Sequence, residues 1–338
     1  MSRARTSASA AEGPETGPPA ATAAMRPLDN PAPPGQAGGA MMDRFPYIPL
    51  PERPKLVWPD GKRLAVWVLP NIEHYEYRPE FVSQRNAWPR MPAPDVVGYG
   101  VRDYGNRVGV WRMLDCFARH GVKATVSLNF GVIEHYPEIW QALRERGDDI
   151  LCHGFYNTRY LWDLPEKDER TVIRDCVETY ARATGGEMLP GWFGPAASGT
   201  FNTADIVKEL GIKYIADYYH DDQPTLVRTN HGPLLCVPYS MDINDAIVYR
   251  WQSEGEEFAR MIRDAFDTLY EEGAETGRVL AICLHPYLYG QPHRIKYLDE
   301  ALAYVMSHEG VWQATGSEIA DWAMREWLPS WAMPGEGP

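Results

Sequence analysis

Short apolar runs alternate with amphipathic stretches along most of this chain. The runs RLAVWVL, VKATVSL, DDILC and RVLAICL are rich in Val, Ile and Leu and give way to polar residues, which is typical of buried strands. The first of them is expected to end at Pro70. Between the runs, VGVWRMLDCFARHG, PEIWQALRERG and KDERTVIRDCVETYARATG repeat apolar residues at helical spacing and stop at glycine. This alternation predicts an α/β fold in which helices wrap a parallel sheet.

The alternation fills one continuous block, residues 43–330, and no linker divides it. Residues 1–42 are rich in Ala, Pro, Gly and Ser and contain hardly any large apolar side chain. Such a segment cannot offset its ordering entropy by burial, so we expect it to be disordered. An organelle transit peptide is the alternative, and Glu12 and Glu15 argue against it. Residues 331–338 form a short C-terminal tail.

The net charge of the chain limits the kinds of binding partner that we expect. The 338 residues include 33 Lys and Arg against 46 Asp and Glu, a net charge of -13 that argues against nucleic acid and anionic membranes. No stretch reaches the roughly 18 apolar residues that a membrane span needs. The five cysteines are scattered without a CxxC pair, which disfavours a disulfide framework or a cysteine-based zinc site. We expect a cytoplasmic protein that acts on a small molecule, and a homo-oligomer is compatible with these data.

Polar residues collect directly after the predicted strands. In a parallel barrel the carboxyl ends of the strands meet at one face, and this face carries the chemistry. The segments that follow strands are Asn71–His74, Asn129, His153–Asn157, Trp192–Pro195, Asp217–Asp222 and His285–Arg294.

Two of these segments offer metal ligands or proton carriers. Glu73 and His74 follow the first strand, and His153 follows the third, with Asn157 four residues later. Carboxylate and imidazole groups bind zinc or move protons, whereas the amide oxygen of Asn157 is a poorer zinc ligand than a second imidazole. The alternative is that each pair is a hydrogen-bonded structural loop.

Other polar residues are candidates for catalysis or substrate binding. His285 follows an apolar strand and suits a general acid, since the pKa of imidazole lies near neutrality; a helix-capping role is the alternative. Arg107 could hold an oxyanion or pair with a neighbouring acid. Asp222 lies in an acidic loop that is either catalytic or merely solvated.

Four further side chains are candidates for contacts with the substrate. Tyr104 precedes a predicted helix beside Arg107, and Trp192 belongs to an aromatic pocket wall or to the core. Gln291 and His293 follow His285 in the segment LHPYLYGQPHRI.

These residues in this order resemble the polysaccharide deacetylase (NodB-homology) superfamily over nearly all of 43–330. The resemblance implies a distorted (β/α) barrel, with seven strands expected, and hydrolysis of amide C–N bonds. Its usual first motif, TFDDG, is replaced by LPNIEH, in which Asn71 falls at the position of the base aspartate and Glu73 is the remaining acid. GWFGP lacks the arginine of the usual R-x-P-Y motif, and CLHP matches the last motif through His285.

The second motif of the family, H-[S/T]-x-x-H, appears here as His153-Gly-Phe-Tyr-Asn157. Together with YGNRVGVWR and LHPYLYGQPHRI, this pattern is more similar to the allantoinase and cyclic imide hydrolase branch, of which some members are described as needing no metal. The resemblance implies an enzyme that opens a small cyclic amide, imide or ureide. The alternatives are a polysaccharide or peptidoglycan N-deacetylase and a non-catalytic binding protein on a degenerate scaffold.

Two mechanisms stay open from the sequence. In one, a divalent ion, preferably zinc, is held by Glu73 and His153 with help from His74 or Asn157, and it activates a bound water while His285 protonates the leaving nitrogen. In the other, no metal is used. Glu73 is then the general base, and Arg107 or a backbone N–H group holds the oxyanion.

Overall fold

The computed structural model describes residues 44–78, 94–250 and 254–330. The expectations for residues 1–42 and for the tail 331–338 lie outside the described residues.

Nine strands in these ranges build one sheet, in the order β6-β7-β5-β4-β3-β2-β1-β8, with β9 beside β1. All pairs are parallel except β6 with β7. The strands are β1 Leu64–Ile72, β2 Thr125–Leu128, β3 Asp149–Cys152, β4 Gly191–Trp192, β5 Tyr214–Ile215, β6 Thr225–Val227, β7 Leu234–Cys236, β8 Arg278–Leu284 and β9 Val311–Gln313. This curled, mostly parallel sheet confirms the predicted α/β barrel of NodB type. Seven strands, β1 to β5 with β7 and β8, form the parallel path, and β6 and β9 add to the expected number.

Helices connect the parallel strands and cover the sheet. They are α1 Val96–Tyr104, α2 Val110–Arg119, α3 Gly131–His135, α4 Pro137–Arg146, α5 Glu166–Thr184, α6 Thr203–Glu209, α7 Asp245–Arg250, α8 Gly255–Glu272, α9 Pro286–Tyr289, α10 Ile295–Met306 and α11 Gly316–Trp322. A π-helical turn, Gly105–Gly109, joins α1 to α2. The predicted glycine stops are confirmed at Gly147 and Gly185, which have φ of 69° and 76°. None of the helices in the described ranges is both long and apolar enough to span a lipid bilayer.

Strand β1 lies between β2 and β8 in the sheet, and every one of its residues is buried. It pairs with β8 from Leu64 to Pro70, with β9 only near its start, and with β2 only at Asn71 and Ile72. The expectation that the strand ends at Pro70 is wrong, because β1 continues to Ile72. Pro70 pairs with Leu284 of β8 on one side, and on the other side neither β9 nor β2 pairs with it. A proline, which lacks a backbone N–H, is tolerated at such a position.

Both faces of β1 contribute to a core. Val66 and Val68 pack with residues of the surrounding helices, such as Phe117 of α2 and Phe266 of α8. Trp67 and its alternating neighbours pack on the other face, in the barrel interior, among residues that include Tyr214, Phe193 and Cys283. Burial on both faces explains why the strand is a nearly continuous apolar run rather than an alternating one. All five cysteines are buried as free thiols.

Two glycines allow the segment after β8 to pack tightly on the π-helical turn. A Cβ atom built at Gly109 would lie 2.1 Å from the carbonyl oxygen of Pro286, and one at Gly290 would lie 2.4 Å from Cα of Gly109. These contacts are to backbone, which cannot move aside as a side chain can. The close approach fixes α9, which directly follows His285.

Gly109→Ala is therefore expected to destabilise the fold by about 1 to 3 kcal/mol, the usual cost of forcing an extra methyl group into a packed site. Gly100→Ala is the matched control, since Gly100 also lies in a helix but its Cβ would meet no atom within 4 Å. Alanine favours a helix over glycine, so this variant should be neutral or slightly more stable. Thermal unfolding of both variants measures the difference, and equal melting temperatures would contradict the packing argument.

Candidate active site

Three side chains from three different strand ends meet at the carboxyl face of the barrel. Glu73 follows β1, His153 follows β3 and His285 follows β8. Oε1 of Glu73 lies 3.7 Å from Nε2 of His153 and 3.6 Å from Nε2 of His285. All three residues are buried, with 2 to 7% of their surface exposed. The carboxylate of Glu73 thus stands between two imidazole rings.

Each imidazole is held through its other ring nitrogen. Nδ1 of His285 lies 2.6 Å from Oδ1 of Asp245, and the backbone N–H of His285 donates to Oδ2 of the same carboxylate at 2.8 Å. Nδ1 of His153 lies 2.9 Å from the carbonyl oxygen of Phe193, so this nitrogen carries a proton and donates. Both rings are therefore oriented with Nε2 toward Glu73, and Asp245 completes an acid–histidine–acid row.

The second oxygen of Glu73 is held by a tyrosine. The hydroxyl of Tyr75 donates to Oε2 of Glu73 at 3.0 Å, and the amide nitrogen of Asn157 donates to the same hydroxyl at 2.5 Å. The guanidinium of Arg102 lies 4.2 Å from the centre of the Tyr75 ring. Asn157 therefore reaches Glu73 through Tyr75.

The electrostatics of this row push the two central pKa values apart. Burial alone would lower the pKa of His285, but the carboxylates of Asp245 and Glu73 outweigh it and raise the pKa to about 10. Burial would likewise raise the pKa of Glu73, but the charge of the nearby His285 imidazole holds that pKa well below its usual range. At neutral pH Glu73 is ionised and His285 is protonated.

The four predicted metal ligands do not come together. The ring of His74 is turned away from Glu73 and stacks on His135, with ring centres 4.4 Å apart. Consecutive residues of an extended chain point to opposite sides, so Glu73 and His74 cannot easily serve one ion. Asn157 contacts Tyr75, and only Glu73 and His153 meet. The four residues together therefore do not form the predicted zinc site, because zinc requires nitrogen, oxygen or sulfur atoms that converge on one point.

A different group has converging ligand atoms. In the parts of the chain that the structure describes, one set of three His, Cys, Asp or Glu side chains has all its ligand atoms within 4.8 Å of one another: Cys116, His120 and Asp299. This set lies between α2 and α10, outside the Glu73 cluster.

Two predicted catalytic residues lie elsewhere. Arg107 is two-thirds exposed and pairs with Asp103 one helical turn away, which raises the pKa of its guanidinium. Asp222 accepts a hydrogen bond from Val279 through its backbone carbonyl at 2.8 Å, and Val279 lies at the start of β8 rather than at its end. Asp222 therefore belongs to the opposite end of the barrel from His285.

The four residues predicted to contact the substrate lie in different parts of the structure. The hydroxyl of Tyr104 accepts from Arg112 at 3.0 Å, at the junction of the helices. Trp192 is fully buried in the core. Gln291 donates to the carbonyl oxygen of Tyr287 at 3.3 Å, and His293 is exposed in the loop before α10. Within the residues that the structure describes, none of these four side chains forms a hydrogen bond with Glu73.

Asn71 has a structural environment. Its amide nitrogen donates to the hydroxyl of Tyr239 at 3.0 Å and to the carbonyl oxygen of Leu284 at 3.2 Å. Asn244 donates to the same tyrosine hydroxyl at 3.0 Å. An amide cannot accept a proton as a base, and these bonds tie β1 to β8 and to the segment that carries Asp245.

Comparison with known proteins places the chain in a family. The sequence model described as Polysaccharide deacetylase matches residues 99–215. A Schizosaccharomyces pombe protein, named provisionally as a polysaccharide deacetylase, is 30% identical over 293 residues, which are 78% of this chain and 91% of the relative. A Pseudomonas aeruginosa PAO1 crystal structure, also named provisionally as a polysaccharide deacetylase, is 31% identical with a TM-score of 0.73, covering 81% of this chain and 96% of that one.

The crystal structure of Puue allantoinase is similar as well. It is 28% identical with a TM-score of 0.72, and the match covers 81% of this chain and 94% of that one. The agreement between sequence and fold over most of both molecules settles the classification: this chain belongs to the polysaccharide deacetylase family, which implies a hydrolase of carbon–nitrogen bonds.

Proposed function

We propose that this protein hydrolyses a C–N bond of a small cyclic amide, imide or ureide, with Glu73 as the general base and His285 as the general acid. The observation that carries the proposal is the row Glu73–His285–Asp245, in which a carboxylate and an imidazolium face each other across 3.6 Å at the mouth of the barrel. Environments that separate the pKa values of two neighbouring groups assign the base and the acid.

The reaction uses both groups. Glu73 takes a proton from a water molecule, whose oxygen bonds to the carbonyl carbon of the substrate. His285 gives its proton to the ring nitrogen as the C–N bond breaks, which leaves a carboxylic acid and the released N–H group (an amine, an amide or a urea, according to the ring) in one open chain. The proton on Glu73 then returns to His285 or to solvent. Such positioned proton transfers typically contribute about 10²- to 10⁴-fold each.

Of the two mechanisms that the sequence left open, the geometry favours the one without a metal at Glu73. Tyr75 already bonds to one oxygen of Glu73, and Asn157, which stands where the family has its second histidine, holds Tyr75. A hydrogen-bonded tyrosine thus fixes the carboxylate. Arg102, which lies against Tyr75, is a better candidate than Arg107 for the positive group that stabilises the oxyanion.

Similarity to an allantoinase over most of both chains supports a small cyclic substrate. The second candidate, N-deacetylation of a polysaccharide, is favoured by the names of the two other relatives. Against it stand the absent base aspartate and arginine of the usual motifs. A non-catalytic binding protein would not need a buried base opposed to a buried acid.

The test is a turnover screen with the full chain, dialysed against a chelator, on hydantoins, cyclic imides, allantoin and acetylated chitooligosaccharides. We expect ring opening of at least one cyclic compound and no release of acetate. Release of acetate would overturn the cyclic preference, and turnover that returns only with added zinc would overturn the metal-free mechanism. An inactive protein on every compound would favour the binding protein.

Tyr75→Phe is expected to lower kcat by about 10- to 150-fold, since a hydrogen bond to a charged group is worth about 1.5 to 3 kcal/mol. KM should change little, because the hydroxyl is already engaged by Glu73 and Asn157. Tyr304→Phe is the matched control, since it also removes a hydroxyl bonded to a carboxylate, that of Asp267 at 2.7 Å, but in a solvent-exposed contact of α10. A kcat for Tyr75→Phe equal to that of the control would show that the hydroxyl does not position the base.

A further inference from the structure

A second cluster of chemically capable side chains lies between α2 and α10. Sγ of Cys116 lies 3.6 Å from Oδ1 of Asp299, and Nε2 of His120 lies 2.9 Å from the same oxygen. Cys116 and His120 are four residues apart, so both project from one face at the end of α2. The proposed hydrolysis makes no use of them.

We propose that Cys116, His120 and Asp299 bind a zinc ion that is independent of the catalytic residues. Thiolate, imidazole and carboxylate are the three groups that zinc prefers in proteins. Ligand atoms about 2.0 to 2.3 Å from a tetrahedral ion lie about 3.3 to 3.6 Å from one another. The sulfur–oxygen separation of 3.6 Å already matches such an edge, and the nitrogen–oxygen separation of 2.9 Å has to widen by a few tenths of an ångström.

The guanidinium of Arg119 is a cation that would compete with zinc for the carboxylate of Asp299. It donates to Oδ1 of Asp299 at 2.7 and 3.1 Å, and half of the Arg119 side chain is exposed. Cys116, Arg119 and His120 all contact the same carboxylate oxygen. Arg119 can therefore move to Oδ2 of Asp299 or into solvent when Oδ1 binds the ion, without leaving any group buried and unpaired.

Binding requires that the ligands lose protons. The thiol of Cys116 gives its proton to solvent as the sulfur–zinc bond forms, and His120 binds through the neutral form of its ring. Three protein ligands leave a fourth position for water at the surface. The ion joins the end of α2 to α10, so it stabilises the contact between two outer helices rather than the barrel mouth.

The experiment is titration of the full chain, freed of metal by a chelator, with cobalt(II) and then with zinc. We expect one equivalent of cobalt to produce the near-ultraviolet charge-transfer absorption of a thiolate–cobalt bond, and zinc to remove it. Cys116→Ser should abolish the band and His120→Ala should weaken binding at least tenfold. Arg119→Gln should strengthen binding, because it removes the competing cation.

Two controls separate this site from the catalytic one. Cys176→Ser, which changes another buried thiol, and His153→Ala should retain the cobalt band. Turnover by Cys116→Ser should equal that of the unaltered chain, whatever the substrate proves to be. The absence of a thiolate band in the unaltered chain would overturn the proposal, as would a stoichiometric ion that disappears in His153→Ala but persists in Cys116→Ser. Melting curves of the metal-free variants establish that each is folded.

Discussion

Replacing Glu73 with glutamine is expected to reduce kcat by about 10²- to 10⁴-fold, the usual contribution of a positioned base. Glutamine has nearly the shape of glutamate and can still accept the hydrogen bond from Tyr75, but it cannot take a proton from water. The loss of a negative charge 3.6 Å from Nε2 of His285 also removes part of the interaction that keeps His285 protonated. Steady-state kinetics on the best cyclic substrate measures the effect.

Glu76→Gln is the matched control for this experiment. Glu76 lies three residues further along the same loop, where it pairs with Arg159 at 2.7 Å. A partly exposed pair of this kind contributes at most about 1 kcal/mol, so the control should remain within a few-fold of the unaltered activity. If Glu73→Gln behaved like the control, another group would have to be the base.

The sequence predicts the central residues because their positions follow from strand ends. Glu73, His153 and His285 each come directly after an apolar run that the structure shows as a strand. Parallel strands bring their carboxyl ends to one edge whatever their distance along the chain. A single rule about strand ends therefore places three side chains from distant segments in contact.

Asp245 could not be found in this way. It begins a short helix, α7, 40 residues before His285, and no apolar strand run leads into it. It reaches His285 because Asn244 forms an isolated parallel bridge with Cys283 of β8. This pairing is long-range and involves a single residue pair, so no periodic pattern in the sequence indicates it.

The choice of arginine depended on helix phase. Arg102 and Arg107 lie five residues apart and therefore on different faces of a helix. The π-helical turn Gly105–Gly109 shifts the phase between α1 and α2, and such a turn has no reliable sequence signal. In the structure Arg102 lies against Tyr75, while Arg107 projects toward solvent and pairs with Asp103.

The strand-end rule failed at Asp222, which lies in the loop between β5 and β6 rather than directly at the end of a strand. The antiparallel pair β6–β7 consists of three-residue strands, too short to read from an apolar pattern. The loop before this pair, which contains Asp222, reaches the start of β8, where the backbone of Asp222 accepts from Val279. A residue several positions beyond a strand is therefore not held at the catalytic face by the end of that strand.

Asp245→Asn tests the role of His285 as the general acid while leaving the imidazole of His285 in place. The carboxylate of Asp245 helps to raise the pKa of His285 to about 10. A general acid is active while it holds its proton, so activity should persist below that pKa and fall as the pH rises through it. Removing the charge lowers the pKa of His285, and the alkaline limb of the kcat profile should move to lower pH. An unmoved limb would assign it to a different group.

His285→Ala should lower kcat by about 10²- to 10⁴-fold on an unactivated ring, because an amide anion is a poor leaving group and needs a proton as the bond breaks. The loss should be smaller for a ring whose nitrogen leaves readily, such as an imide with an electron-withdrawing substituent. His231→Ala, which changes an exposed histidine paired with Glu209, is the control and should match the unaltered chain on both substrates. Equal losses on activated and unactivated rings would instead assign His285 to substrate binding, since only proton donation makes its contribution depend on the leaving group.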